Sequence, residues 1–433
     1  MSAPAVERDA LSSRVSNANV TTTEDRAPKS SALSGRLRHI DTHLPPPRPV
    51  LGLEAEFTLF VDDIQRTPEQ VFGTPARFIR QRMIPRTGRS FQLPSGGAIY
   101  FDTGVIEVAT PIIELGPGCC YRVVRLLWEQ IRYLRRELDA WGKRHKRRVR
   151  LQGFSAHYNF SFPAARRSRL RNSSKLAYLL THILPAPVAL LAANRESSAI
   201  GVRPRGSRLE ITADFTPDPS LMLATCGLIA GMVEGVLHWE DYGVDQIERH
   251  GIPRPKPLRL RKHSSRRGWR VLASSLQHNP FTHNPNAADW KLRDGRSLSL
   301  RQIAAETMQP FREEIRRLSD AETLAHIEAV FAGDARSLLD FRERPSAYDD
   351  VGHDTKWNRP MRHRRRSQYE EVIHRVIARR PMQINGKRYT VQRMQGWYEV
   401  VFREAKTGRR RVFNLDDLVK LARSKIRTPR RAR

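Results

Sequence analysis

Apolar and polar residues alternate along "VLGLEAEFTLF" (Val50–Phe60), and this two-residue period predicts a strand. Leu53, Ala55 and Phe57 fall on one face, Glu54 and Glu56 on the other. The alternation returns in "GVIEVATP", "VRLQGFSAHYNFSF" and "SRLEITADF". Elsewhere the period lengthens. In "CCYRVVRLLWEQIRYLRRELDAWGKR", Val123, Leu126, Leu127, Ile131, Leu134 and Leu138 recur at three- and four-residue spacings, which predicts a long helix with one apolar face. "KLAYLLTHILPAPVALLAA" reads as a helix broken by Pro185 and Pro187. "SLMLATCGLIAGMVEGVLHW" predicts a buried helix, with Gly227 and Gly231 small enough for close packing. Residues 296–342 read as helical. "PMQINGKRYTVQRMQGWYEVVFREAKTGRRRVFNLDDL" predicts a small antiparallel β unit, with turn signals at "NGK" and "KTGR".

The polar faces of these strands carry the candidate chemistry. Unpaired buried carboxylates are costly. Residues i and i+2 of a strand stand roughly 7 Å apart on one side, so Glu54 and Glu56 can each bind one of a neighbouring pair of Mg²⁺ or Mn²⁺ ions. The competing reading is a half-exposed edge strand whose carboxylates pair with arginines. "SAHYNFSF" sets His157, Asn159 and Ser161 on one face, and "SRLEITADF" sets Arg208, Glu210, Thr212 and Asp214 on one face. "FDTGVIEVATP" adds Asp102 and Glu107. An arginine two residues from a glutamate suits a phosphate held beside a metal ion. Several strands offering such residues together suggest a sheet that lines a metal–phosphate site.

Composition changes this picture in one respect. The 433-residue chain holds 76 Lys plus Arg against 45 Asp plus Glu, a formal charge of +31. That excess attracts polyanions: nucleic acid, an anionic membrane surface or an acidic protein. Basic clusters lie at "KRHKRRVR", "RRSRLR", "RLRKHSSRRGWR", "RHRRR" and "RRAR", and a solvated surface is their plainer explanation. Cys119, Cys120 and Cys226 form no CxxC pattern, which argues against a disulfide scaffold or cysteine-bound zinc. No uninterrupted apolar run approaches the ~20 residues of a membrane span, and the first residues lack the apolar core of a signal peptide. A cytoplasmic protein is expected.

"GLEAEF", "GVIEVATP", "GFSAHYNFSF" and "NRESSAIGVRPRGSRLEITADFTPDPSLMLATCGLIAGMVEGV" follow one another in an order that resembles the glutamine synthetase-like superfamily of carboxylate–amine ligases, which includes glutamate–cysteine ligases and the Pup ligase and deamidase enzymes. The likeness covers roughly residues 50–240. It implies an α+β fold, a curved antiparallel catalytic β-sheet packed with helices, with the small β unit at the C-terminus. The expected organisation is a disordered arm (1–48), a catalytic domain (49–342), a basic linker with helical character (343–380) and the C-terminal β domain with its basic tail (381–433).

The same resemblance implies an ATP-dependent ligase that forms an amide through an acyl phosphate, using ATP and two or more Mg²⁺ or Mn²⁺ ions. It implies Glu54, Glu56, Glu107, His157 and Glu210 as metal ligands and Arg208 and Arg203 as catalytic arginines. Asn159, Ser161, Asp102 and Arg195 are implied at nucleotide or substrate. Glutamine synthetases carry a β-rich domain before the catalytic sheet, and this sequence departs from them in having only about 50 residues there. The acid and the amine stay open. A polyanion-binding protein on the same fold, or an amide hydrolase of the deamidase type, is the alternative.

Overall fold

The structure, a computed structural model, describes residues 48–162, 173–205, 208–263, 268–353, 357 and 366–426. The arm expected over 1–48 lies outside them apart from Arg48, as do the clusters "RRSRLR" and "RRAR" and most of "RHRRR".

Twelve strands among the described residues form one sheet: β1 (Val50–Val61), β2 (Ile64–Arg66), β3 (Ile84–Pro85), β4 (Phe91–Gln92), β5 (Ala98–Asp102), β6 (Val105–Ala109), β7 (Ile113–Glu114), β8 (Val149–Ser161), β9 (Ala199–Arg205), β10 (Arg208–Asp214), β11 (Arg261–Lys262) and β12 (Trp269–Leu272). Their order is β11-β12-β9-β10-β8-β1-β6-β5-β4-β3, with β2 and β7 paired to β1, and every ladder is antiparallel. Leu51, Leu53, Ala55, Phe57 and Leu59 of β1 are at most 2% exposed. Each large apolar side chain buried this way contributes about 1.5–3 kcal/mol. A one-residue slip would exchange them for Glu54 and Glu56, so burial pins the register that sets the polar face.

Helices cover the apolar face. α1 (Cys119–His145) packs on β1 and against α4 (Pro219–Leu237). α2 (Ser173–Ile183) and α3 (Pro185–Ala192) are bent 63° apart. Only Pro185 makes the break. Pro187 lies in the first turn of α3, where backbone N–H groups have no intrahelical acceptor, so it is tolerated. The side chain of Asp218 caps α4 by accepting from Ser220 N (2.7 Å) and Leu221 N (3.0 Å). α4 is, by length and composition, apolar enough to cross a membrane, which the absence of an uninterrupted run did not anticipate. Of its apolar 18-residue window 83% of the residues are buried among its neighbours, and a core helix passes the same test. β13 (Trp290–Lys291) and β14 (Ser297–Leu298) make a short hairpin before α5 (Leu300–Met308), α6 (Arg312–Leu318) and α7 (Ala321–Ala332). The three cysteines are free and buried.

A second core lies under β15 (Met382–Ile384), β16 (Lys387–Gln395), β17 (Glu399–Glu404) and β18 (Arg410–Asn414), an antiparallel sheet flanked by α8 (Gln368–Ile377) and α9 (Leu415–Ile426). The sequence reading carries the β unit through "NLDDL", but the chain turns helical at Leu415. Asn414 Oδ1 accepts from Asp417 N at 2.8 Å, and Asp416 and Asp417 fill the first turn, where carboxylates favour a helix start. Val50 and Ile84 of the large sheet, and Ile112 just before β7, join this second core.

Candidate metal and phosphate site

In an antiparallel sheet, residues directly opposite one another share a face. Three adjacent rows therefore assemble the polar face. The first sets Tyr100 (β5), Glu107 (β6), Glu56 (β1), Ser155 (β8) and Asp214 (β10) side by side. The second sets Glu54 beside His157 and Thr212. The third sets Asn159 beside Glu210 and Arg203. Between the Glu56–Ser155 and Phe57–Gly153 pairs the register shifts, which leaves Phe154 of β8 as a bulge and bends β8 next to this cluster.

Side-chain oxygens of Glu54 and Glu107 and a ring nitrogen of His157 all lie within 4.8 Å of one another, and all three residues are buried. His157 Nδ1 is 3.4 Å from Glu54 Oε2, and its Nε2 is 3.7 Å from Glu56 Oε1. Ser155 Oγ donates to Glu56 Oε2 at 2.6 Å, and Asn159 Nδ2 to Glu54 Oε2 at 2.9 Å. Tyr100 donates to Glu107 and approaches Glu54 Oε1 at 3.4 Å. Burial pushes Glu54 up, but the hydrogen bond to His157 and the charge of Arg208 outweigh it and hold the carboxyl at about 2. Burial and the Glu54 charge push Glu107 up to about 8. His157 is lowered by burial, yet the bond to Glu54 and the charges of Glu210 and Glu56 carry it up to about 9. Three carboxylates thus crowd a dry face on which a proton or another cation must offset them.

Glu210 is 1% exposed and sits among arginines. Arg203 donates to Oε1, while Arg205 Nε and Arg208 Nη2 lie 3.3 and 3.5 Å from Oε2. The site therefore has an acidic pole at Glu54, Glu56 and Glu107 and a basic pole at Arg203, Arg205 and Arg208. The donor set fits a divalent cation. Besides the carboxylates and His157, the buried Asn159 Oδ1 and Thr212 Oγ1 have no hydrogen-bond partner among the described residues. Oxygen donors are what Mg²⁺ takes.

The remaining candidates lie further out. Ser161 is half-buried and pairs with Val50 and Arg208 at the end of β8. Asp102 is exposed at the β5–β6 turn, where Thr103 Oγ1 donates to it at 2.9 Å. Arg195 donates to the carbonyls of Phe341 (3.2 Å) and Thr282.

Four residues escaped the sequence reading. Tyr100 stands two before Asp102 and Ser155 two before His157, so extending each alternation backwards would have found them. Arg205 lies within the quoted "GVRPRGSRLE". Arg86 gave no signal. It is 8% exposed, and the charges of Tyr100 and Glu54 act on it, although burial still lowers it to about 10. Its guanidinium donates to Gln92 Oε1 (2.5 Å) and to the carbonyl of Gly396 (2.9 Å), and stacks 4.1 Å from the Trp397 ring.

No family model matches the chain, and no curated protein matches it. Among solved structures, the complex between the prokaryotic ubiquitin-like protein Pup and its ligase PafA aligns with a TM-score of 0.45 at 12% identity, covering 90% of this chain and 94% of that one.

Proposed function

We propose that this chain is an ATP-dependent carboxylate–amine ligase. The observation that carries the reading is the gathering of Glu54, Glu107 and His157 within 4.8 Å on a buried polar face, with a basic pole one row away. Phosphorylating a carboxylate brings two anions together, so the site must supply positive charge on both sides of the reacting groups. Glu54, Glu56, Glu107 and His157 would hold Mg²⁺ or Mn²⁺, which offsets the charge of the ATP phosphates when bound. Arg203 and Arg208 face the phosphoryl group, and Glu210 holds both guanidinium groups in place. Asn159 offers its free oxygen to metal or nucleotide. The substrate carboxylate attacks the γ-phosphorus and ADP leaves. The amine then attacks the acyl carbon and phosphate leaves, forming the amide. The reducing cytoplasm, where ATP is supplied, suits the three free cysteines.

Phosphate release by the full chain with ATP and Mg²⁺, against a panel of amino acids, amines and small acidic proteins, tests this. One acid should stimulate release, and one amine should convert it to amide. Glu54→Gln should lower turnover about 100-fold or more while the fold is kept. Full turnover in Glu54→Gln, or no ATP consumption with any pair, would sink the proposal. Amide cleavage without ATP consumption would reassign the same face to hydrolysis.

The charge of +31 supports a second reading, a polyanion-binding protein on this fold. Binding of a nucleic acid that weakens steeply with salt and is unchanged in Glu54→Gln, with no ATP turnover, would favour it.

A further inference from the structure

We propose that His278, His283 and Asp289, on the connection between β12 and β13, bind one divalent transition ion of the zinc class. This site shares no residue with the polar face described above.

Residues 273–289 form no helix or strand. Loops longer than about 12–15 residues inside a compact domain are uncommon and usually either functional or disordered. This one brings three ligand-bearing side chains together, with one atom from each within 4.8 Å of the others. Asp289 Oδ1 is 3.0 Å from His283 Nε2, and Asp289 Oδ2 is 3.5 Å from His278 Nε2. Bonds of about 2.0–2.1 Å in a tetrahedral shell place ligand atoms about 3.3 Å apart, so these separations already match the edges of such a shell. The two imidazoles stack at 4.0 Å with 9° between their planes. Buried Trp290 meets them edge-on at 5.3 and 5.7 Å and backs the pair. His278 Nε2 is buried and has no hydrogen-bond partner among the described residues, as expected of an atom kept for a ligand.

Two imidazoles and one carboxylate select an ion of the zinc class over Mg²⁺ or Ca²⁺, which take oxygen ligands. The three side chains are 25–46% exposed, so the ion enters from solvent. Arg195 donates to the carbonyl of Thr282 within this loop and to that of Phe341. A bound ion closes the loop on itself while Arg195 ties it to the "NRESS" segment.

The test uses the full chain carrying Glu54→Gln and Glu107→Gln, which leaves the carboxylate face only Glu56 and His157 of its four proposed ligands. After chelation and dialysis, Zn²⁺ is titrated in competition with a chromophoric chelator, and Co²⁺ is bound separately for its visible spectrum. One Zn²⁺ per chain and the intense visible bands of low-coordinate Co²⁺ are expected. In that background His283→Gln, His278→Gln and the near-isosteric Asp289→Asn should each weaken Zn²⁺ by about 100-fold or more. Asp289→Asn keeps shape and so reads the site even where a histidine variant misfolds. The proposal is overturned by failure of the starting protein to take up stoichiometric Zn²⁺, which leaves only a carboxylate bridging two imidazoles. It is equally overturned by undiminished affinity in the three variants.

Discussion

Tyr100 orients a carboxylate without being a metal ligand itself. Its phenol donates to Glu107, and partners of this kind fix how a ligand presents its lone pairs. Tyr100→Phe should raise the Mg²⁺ concentration needed for half-maximal ATP turnover about tenfold or more, with a smaller change at saturating Mg²⁺. A Mg²⁺ titration of turnover reads it. Asp214, at the end of the same row, yields a pH prediction. Burial raises it from 3.8 to about 6, against the opposing hydrogen bond from Ser197. A raised carboxyl pKa stabilises the fold below the unfolded value, and that stability is lost as pH rises through about 6. Asp214→Asn should therefore be more stable than the parent at pH 7, by about 1 kcal/mol after allowance for partial exposure, and the gain should vanish near pH 4. Thermal melts at both pH values decide it. Glu54, Glu56, His157 and Asn159 were legible because alternation is a property of one strand alone. Asp102 was chosen by proximity, yet Tyr100 is the residue opposite Glu107, because cross-strand register is a property of two strands.

At the scale of elements, helix contacts depend on single atoms. A Cβ on Gly231 would stand 2.8 Å from Ile315 N and 2.9 Å from Ile315 Cα. Backbone cannot swing aside as a side chain can, so Gly231→Ala should cost about 1–3 kcal/mol by forcing α4 from α6. Gly227 faces side chains alone, Ser319 at 3.1 and 3.2 Å and Thr323 Cγ2 at 3.6 Å, and Gly227→Ala should cost less. Urea unfolding of the two variants checks the ranking. Whereas α9 was read into the β unit, the long helix α1 was readable from its period. The short strands β3, β4, β11 and β12 were not, since two to four residues carry no measurable period and are held by their neighbours.

On the scale of the whole molecule, Arg86 joins the C-terminal sheet to the candidate site. It reaches Gly396 and Trp397 beyond β16 while lying close enough to Glu54 to feel its charge. Trp397→Ala should cost about 1–3 kcal/mol and speed amide exchange in β16 and β17, by removing a desolvated cation–π partner. ATP turnover should fall with it, although Trp397 lies on neither pole of the polar face. Exchange mass spectrometry paired with the turnover assay separates this from a detached tail, for which turnover would be unchanged. Nothing in either segment alone announced that link, because it spans roughly 310 residues of chain.

The strand order also carries a consequence for synthesis. β1, β5 and β6 leave the ribosome before β8 and β10, so Glu54, Glu56 and Glu107 emerge before His157, Arg203 and Arg208. A nascent chain halted ahead of Val149 holds the anions of the polar face without those neutralising partners. Within such a chain Arg86, bound protons or borrowed counter-ions offset those anions. β8 arrives first, beside β1 with His157, and β10 then adds to β8 with Arg208.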